Sequence, residues 1–282
     1  MTFVDVYQEL SEKLSAIYDS REASTIARYL IEDVYKEQFW SEQSLTDEQL
    51  NTFQTILVRS LKHEPWQYIG GYADFYGLKF SVTPAVLIPR PETEELVYIA
   101  LDIIQKNNIS SILDIGTGSG IIPITLALKT KRNTEIFASD ISEDAITIAK
   151  KNADAHKVQV KFIHHDILDR STFPLLPRTD FVISNPPYIG RDEESDMEKN
   201  VLDHEPHIAL FVQDHIMEFY EALAELVVYK RESACFLLVE IHENYADDVV
   251  QTFENYGLSD IQIYFDMQGK TRCISAKSNP LP

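Results

Sequence analysis

The sequence predicts an α/β chain: a small all-α N-terminal domain, then a parallel, doubly wound sheet that ends in an antiparallel hairpin. Three observations predict it. From Pro91 onward, short apolar runs alternate with helix-length amphipathic segments. The first of those runs, residues 111–115, leads directly into the glycine-rich turn Gly116-Thr117-Gly118-Ser119-Gly120. The last two, 261–265 and 272–276, are separated only by a short stretch around Asp266-Met267-Gln268-Gly269-Lys270. So short a connection permits only an antiparallel pair.

Residues 1–62 read as helices. Phe3, Val6, Tyr7, Leu10, Leu14 and Ile17 recur at helical spacing, as do Ile26, Ala27, Leu30, Ile31 and Val34. A third helix carries Leu50, Phe53, Ile56, Leu57 and Leu61, and Thr46-Asp47-Glu48-Gln49 before it reads as a capping box. This bundle carries no chemistry of its own, which leaves packing or macromolecular docking as its task. Residues 63–90 form a connector. Within it, 73–82 alternates with aromatics about Gly77 and reads as a hairpin, and Pro84 and Pro89 hold an extended passage. Pro91 suits the first position of the next helix, with Glu92, Glu94 and Glu95 at its positive end. The third domain segment runs from 91 to 282.

Within that segment the elements follow in order. Strand 111–115 precedes helix 121–128. Strand 135–139 precedes helix 143–155, for which Ser142 is the expected N-cap. Strands 158–163 and 181–184, helix 217–228 and strand 234–241 follow. A helix over 244–256 stops at Gly257, a C-cap residue. The antiparallel pair closes the chain. A parallel sheet ending this way looks like the Rossmann-like layout of S-adenosylmethionine-dependent methyltransferases. A dehydrogenase would lack that ending.

Lys plus Arg number 25 and Asp plus Glu 45, a net charge of −20. Such a chain repels phosphate backbones, which argues against stable nucleic-acid binding. Cys235 and Cys273 lie in apolar runs and read as reduced core residues. The N-terminus lacks a basic region followed by an apolar core, and no apolar run is long enough to span a bilayer. A cytoplasmic monomer with no membrane association is expected.

Candidate site residues lie where strands end. The glycine turn allows a ligand close to the backbone, and Asp140 ends the next strand 20 residues after Gly120. That combination marks a nucleotide-type site, with Asp140 on ribose hydroxyls. Asp114 would hold the loop or a methionine ammonium. Asp166 would accept from an adenine amino group, with Ile167 packing on the ring. The nicotinamide fingerprint needs its third glycine one residue later than Gly120.

Asn185-Pro186-Pro187-Tyr188 follows the apolar run 181–184. Proline stiffens the turn and leaves carbonyls free. Asn185 Oδ1 and the Pro186 carbonyl would accept two N–H bonds from a planar nitrogen group, and Tyr188 would stack on it. Those acceptors enrich a poor amide or amine nucleophile and stabilise the charge that develops on it. This turn decides for methyl transfer from S-adenosylmethionine, with Asn185 next to both ligands and no metal required.

On these residues the sequence resembles the peptide chain release factor glutamine methyltransferases. The family's pattern is matched in order by His63-Glu64-Pro65, Phe75-Tyr76-Gly77, Leu87-Ile88-Pro89-Arg90-Pro91-Glu92-Thr93-Glu94, the glycine turn and Asn185–Tyr188. The resemblance implies a helical N-terminal domain that docks the release factor. It also implies N5-methylation of the Gln of a Gly-Gly-Gln loop, held by Asn185 and the Pro186 carbonyl. The chain departs from the family at His204-Glu205-Pro206 (usually Tyr-Glu-Pro), at Lys230-Arg231-Glu232-Ser233 (usually Gly-Gly), and at Ile167 (often aromatic). A nucleic-acid amino-methyltransferase is the alternative enzyme, since the same turn would hold an exocyclic amine. A non-catalytic S-adenosylmethionine-binding protein is the third reading. His164-His165-Asp166 and His204-x-x-His207 read as surface or packing histidines, because metal sites need three or four converging ligands. The acidic stretch 191–199 reads as a solvated loop or a substrate-facing lid.

Overall fold

A computed structural model describes residues 1–131, 133–229 and 234–280. The departure at Lys230-Arg231-Glu232-Ser233 lies outside the described residues. The chain divides into two compact units, Met1–Tyr72 with Met197–Glu205, and Ala73–Asp196 with Pro206–Pro282.

The first unit is helical. α1 (Phe3–Leu14) opens on a reciprocal cap between Thr2 and Asp5, and α2 (Ser20–Leu30) on Asp19. α2 runs on into one π-helical turn, Ile31–Tyr35, which stops at Lys36 with positive φ. α3 (Asp47–Ser60) carries the expected capping box: Gln49 N donates to Thr46 Oγ1, and Thr46 N donates to Gln49 Oε1. α4 (Trp66–Gly70) lies in what the sequence assigns to the connector. Its Ile69 joins Phe3, Leu10, Leu30 and Phe53 in one apolar cluster, which is why it groups with the bundle. Glu64 takes both Nε and Nη2 of Arg59, at 2.8 and 2.6 Å.

The hairpin of β1 (Tyr72–Phe75) and β2 (Leu78–Ser81) turns on Tyr76 and Gly77, both with positive φ. That is the backbone a type I′ turn requires. The next helix, α5 (Thr93–Asn107), begins two residues later than Pro91 suggests. Pro91 and Glu92 form the preceding turn, whose carbonyls accept from Glu94 and Glu95.

The second unit is built on β3 (Ser111–Ile115), α6 (Ile121–Lys129), β4 (Glu135–Asp140), α7 (Glu143–His156), β5 (Lys161–His164) and β6 (Phe181–Ser184). α8 (Lys199–His204) belongs to the helical unit, where His204 Nε2 donates to the Lys62 carbonyl. α9 (His207–Leu210), α10 (Glu218–Tyr229), β7 (Cys235–Glu240), α11 (Ala246–Asn255), β8 (Ser259–Phe265) and β9 (Thr271–Ser278) complete the second unit. The seven strands lie in the order β5-β4-β3-β6-β7-β9-β8. All pairs are parallel except those made by β9, which slots antiparallel between β7 and β8. β5 starts three residues later than expected, since the ladder with β4 begins at Phe137 and Lys161. Gly257, with positive φ, closes α11 through Gly257 N to Glu254 O and Leu258 N to Phe253 O.

Alternation along the strands separates two cores. Leu113, Ile115, Val182 and Val239 face α10 and α11. Ile112, Phe181, Ile183 and Leu238 face α5 and α6. The sheet is therefore buried on both faces, and its polar strand ends meet at one edge of the layers.

Candidate active site

The strand ends open onto a cleft with about 860 Å³ of empty space. Gly116, Gly118, Asp140, Asp166, Ile167, Asn185, Pro186 and Pro187 all line it, so the structure gathers eight of the sequence-predicted residues around one cavity. Ala85, Val86 and Leu87 of the extended passage and Phe219 and Leu223 of α10 supply apolar walls.

The glycine turn is held from below. Gly116 N and Thr117 N both donate to the Ser139 carbonyl at 2.9 Å. Gly118 N donates to Asp140 Oδ2 at 2.8 Å, and Ser142 N to Asp140 Oδ1 at 2.9 Å. Asp140 thus anchors the turn and the start of α7 while keeping lone pairs on the cleft. Burial raises its pKa, and the backbone donors from Ser142 and Gly118 oppose that. Gly116 and Gly118 have positive φ and nothing within 4 Å of an added Cβ, so the space above them is open. Gly120 also has positive φ, but there a Cβ would meet Ile124 and Ala149, because α6 and α7 approach closely.

Thr117 and Ser119 are buried in the turn, and Asp114 lies wholly buried beneath it. Neither carboxylate oxygen of Asp114 has a hydrogen-bond partner. Burial lifts its pKa to about 7; the nearby Thr117 hydroxyl lowers it and the charge of Asp140 adds to the rise. Asp166 Oδ1 accepts from Leu168 N at 2.9 Å.

Asn185 is fixed from both sides of its turn. Ser184 Oγ donates to the Ile115 carbonyl at 2.8 Å, tying β6 to β3. Beyond the prolines, Ile189 pairs with Phe211 through Ile189 N to Leu210 O and Val212 N to Ile189 O. Asn185 Nδ2 donates to Thr93 Oγ1 at 3.1 Å. Buried Glu240 lies near both: Asn185 and Thr93 each lower the pKa of its carboxylate, whose Oε2 has no hydrogen-bond partner. Thr93 and Glu240 were not foreseen as site residues. Glu240 was visible only as an acid ending an apolar run. The Tyr188 ring packs 6.0 Å from that of His242, which in turn meets Tyr245. The acidic stretch after it forms a 3₁₀ turn, Arg191–Asp196, with Gly190 N donating to Glu193 Oε1.

The site residues fit the expected methyl donor. Open glycine backbone and two strand-end carboxylates suit hydroxyl and amine donors around an apolar slot. Among the described residues, no three His, Cys, Asp or Glu side chains converge as metal ligands. His164 Nε2 donates to the Ile141 carbonyl, and His165 Nε2 sits 2.8 Å from Thr172 Oγ1. No helix among the described residues is long and apolar enough to cross a membrane.

Comparison with known proteins agrees with this layout. The PrmC N-terminal domain family matches residues 5–71, and the Methyltransferase small domain family matches 98–207. The release factor glutamine methyltransferase of Bacteroides thetaiotaomicron is 42% identical over 226 residues, 79% of each chain. That of Flavobacterium psychrophilum is 35% identical over 272 residues, 93% of this chain and 94% of its own. The chain belongs to the release factor glutamine methyltransferase family. As a member it is a methyltransferase with S-adenosylmethionine as methyl donor. Among solved structures, the hMettl16 catalytic domain bound to a MAT2A 3′UTR hairpin superposes with a TM-score of 0.56 at 16% identity. It covers 86% of this chain and 85% of its own, a likeness of fold alone.

Proposed function

We propose that this family member methylates the side-chain N5 of the glutamine in the Gly-Gly-Gln loop of peptide chain release factors, as a monomer in the cytoplasm. The observation that carries the reading is Asn185: it lines the cleft while its Nδ2 is committed to Thr93. Its Oδ1 is then left to accept from a substrate amide. The Pro186 carbonyl accepts the second N–H, so the planar amide is held by two acceptors. Those acceptors raise electron density on nitrogen and stabilise its developing charge. S-adenosylmethionine, when bound, would supply an activated methyl on its sulfonium sulfur, which leaves as a neutral thioether. Gly116–Gly120 would line its methionine and ribose, Asp140 would accept from the ribose hydroxyls, and Asp166 with Ile167 would take the adenine. Asp114 would hold the loop or the ammonium from beneath. Tyr188 would border the substrate amide. Alignment in the cleft supplies much of the rate, up to about 7–11 kcal/mol. The nitrogen's proton is acidic once alkylated and needs no strong base. The helical unit would dock the release factor, and the net charge of −20 disfavours nucleic acid as substrate.

The test is transfer of labelled methyl from S-adenosylmethionine to three acceptors: a purified release factor, the same factor with its Gly-Gly-Gln glutamine changed to Asn, and total RNA or DNA. Label on the intact factor alone is expected. Label on nucleic acid alone would overturn the reading. Asn185→Ala should abolish turnover and leave cofactor binding largely intact.

A further inference from the structure

The parallel register of β6 and β7 pairs Ile183 with Leu238 and Ser184 with Val239. Continued by one residue, it sets Asn185 beside Glu240, with both side chains on the same face of the sheet. That face is covered by α5, whose first residue is Thr93. All three side chains therefore meet at the strand ends. Glu240 is 3% exposed and Thr93 1%.

The hydrogen-bond inventory is directional. Asn185 Nδ2 has two hydrogens, and one goes to Thr93 Oγ1. The Thr93 hydroxyl and the Asn185 amide both face the Glu240 carboxylate and lower its pKa, while Glu240 Oε2 is buried without a hydrogen-bond partner. An ionised carboxylate only accepts, so it demands the NH₂ end of the asparagine. The amide is then locked with Oδ1 turned the other way.

We propose that Glu240, acting with Thr93, is the positioning residue that sets the orientation of the Asn185 amide and so presents Oδ1 to the substrate nitrogen. This rests on the reading of Asn185 as the group that holds the substrate amide. Glu240 touches no reacting atom; it acts through Asn185. It also polarises that amide, making Oδ1 a stronger acceptor.

The carboxylate is held at a cost that makes its charge state sensitive to pH. Burial lifts its pKa to about 7; hydrogen bonding from Thr93, the charge of Arg272 on β9 and hydrogen bonding from Asn185 pull it down, and Glu92 beside α5 pushes it up. Tyr220 of α10, whose hydroxyl donates to the Glu240 carbonyl, also faces it, as do Tyr188 after β6 and Cys273 of β9. Their own pKa values are raised by burial, so these three stay neutral through the neutral range. On protonation Glu240 loses the charge that favours the NH₂ end of Asn185 and itself becomes a donor.

Steady-state kinetics on a release factor substrate, with cofactor affinity and Tm measured in parallel, test this. Glu240→Gln should lower kcat by about tenfold to hundredfold. Its S-adenosylmethionine affinity should stay within about twofold, and its Tm should be equal or higher, since a buried charge is removed. The wild-type kcat should fall as pH drops below about 7, and that limb should vanish in Glu240→Gln. Thr93→Val should lose kcat similarly and Thr93→Ser should recover it. Wild-type kcat and an unchanged pH profile in Glu240→Gln, beside an inactive Asn185→Ala, would overturn the inference and spare the reading of Asn185. An active Asn185→Ala would overturn both. A Thr93→Val enzyme with wild-type kcat would also count against the inference, whether or not Glu240→Gln folds.

Discussion

The Asn152 side-chain amide donates to the Ser119 carbonyl at 2.8 Å, from α7 into the glycine turn. The same Nδ2 donates to Ser81 O at 3.0 Å, and Ser81 N donates to Asn152 Oδ1 at 2.7 Å. One buried side chain therefore joins the end of the β1–β2 hairpin to the cofactor turn. Asn152→Ala should leave these backbone groups unpaired and cost about 2–4 kcal/mol of stability. Because Ser119 is one of the groups released, S-adenosylmethionine affinity should fall as well. Denaturant melts and cofactor titration check both; an unaltered affinity would detach the hairpin from the site.

Gly118 and Gly120 separate binding from folding within one turn. Both have positive φ, but only at Gly120 would a Cβ meet other atoms: Ile124 Cδ1 at 2.9 Å and Ala149 Cβ at 3.1 Å. Gly120→Ala should therefore lose about 2–4 kcal/mol through backbone strain and overpacking. Gly118→Ala carries the strain alone, about 1–2 kcal/mol, but places a methyl at the cleft. Its larger effect should be on the KM for S-adenosylmethionine. Equal Tm losses with equal KM values would mean that the two glycines do the same work.

Where the chain's signals are local, the sequence alone was enough. β3 and β6 have the bounds that their apolar runs suggest, and Thr46, Ser142 and Gly257 cap helices as their residue types require. The glycine turn, Asp140, Asp166 and Asn185–Pro187 reach one cleft because each sits at the carboxyl end of a strand. What was hidden is long-range. Thr93 lies 92 residues from Asn185 and looks like an ordinary helix start. Glu240 comes beside Asn185 only where the β6–β7 register is carried one residue past Ser184 and Val239, and register is set by pairing, not by either strand's own pattern. The apolar residues Val158 and Val160 read as strand, yet β5 is an edge whose ladder begins at Lys161.

Asp140 carries two duties that substitution can divide. Its oxygens accept from Gly118 N and Ser142 N at 2.8 and 2.9 Å, and it lines the cleft. Asp140→Ala should weaken S-adenosylmethionine binding by about 1–3 kcal/mol. It should also loosen the turn, lowering Tm even without ligand. Asp140→Asn keeps one acceptor and should retain most of the stability while still losing affinity. Calorimetric titration of both variants distinguishes the duties; unchanged affinity in either would put the ribose elsewhere.

Asp114 should write itself into the pH dependence of stability in the ligand-free protein. Its folded pKa is lifted from 3.8 to about 7 by burial. Between those values the folded state keeps a proton that the unfolded chain has released. Stability from this group is therefore complete below about pH 4 and is lost as pH rises through about 7. Glu240, lifted from 4.5 to about 7, acts with the same sign. Asp114→Asn should raise the Tm at pH 8, on the order of a few kcal/mol in free energy, and flatten the decline between pH 4 and 7. Combining it with Glu240→Gln should flatten that decline further. Thermal melts across pH 4–8 give the answer, and a wild-type slope in Asp114→Asn would show that the carboxylate is solvated or paired in solution.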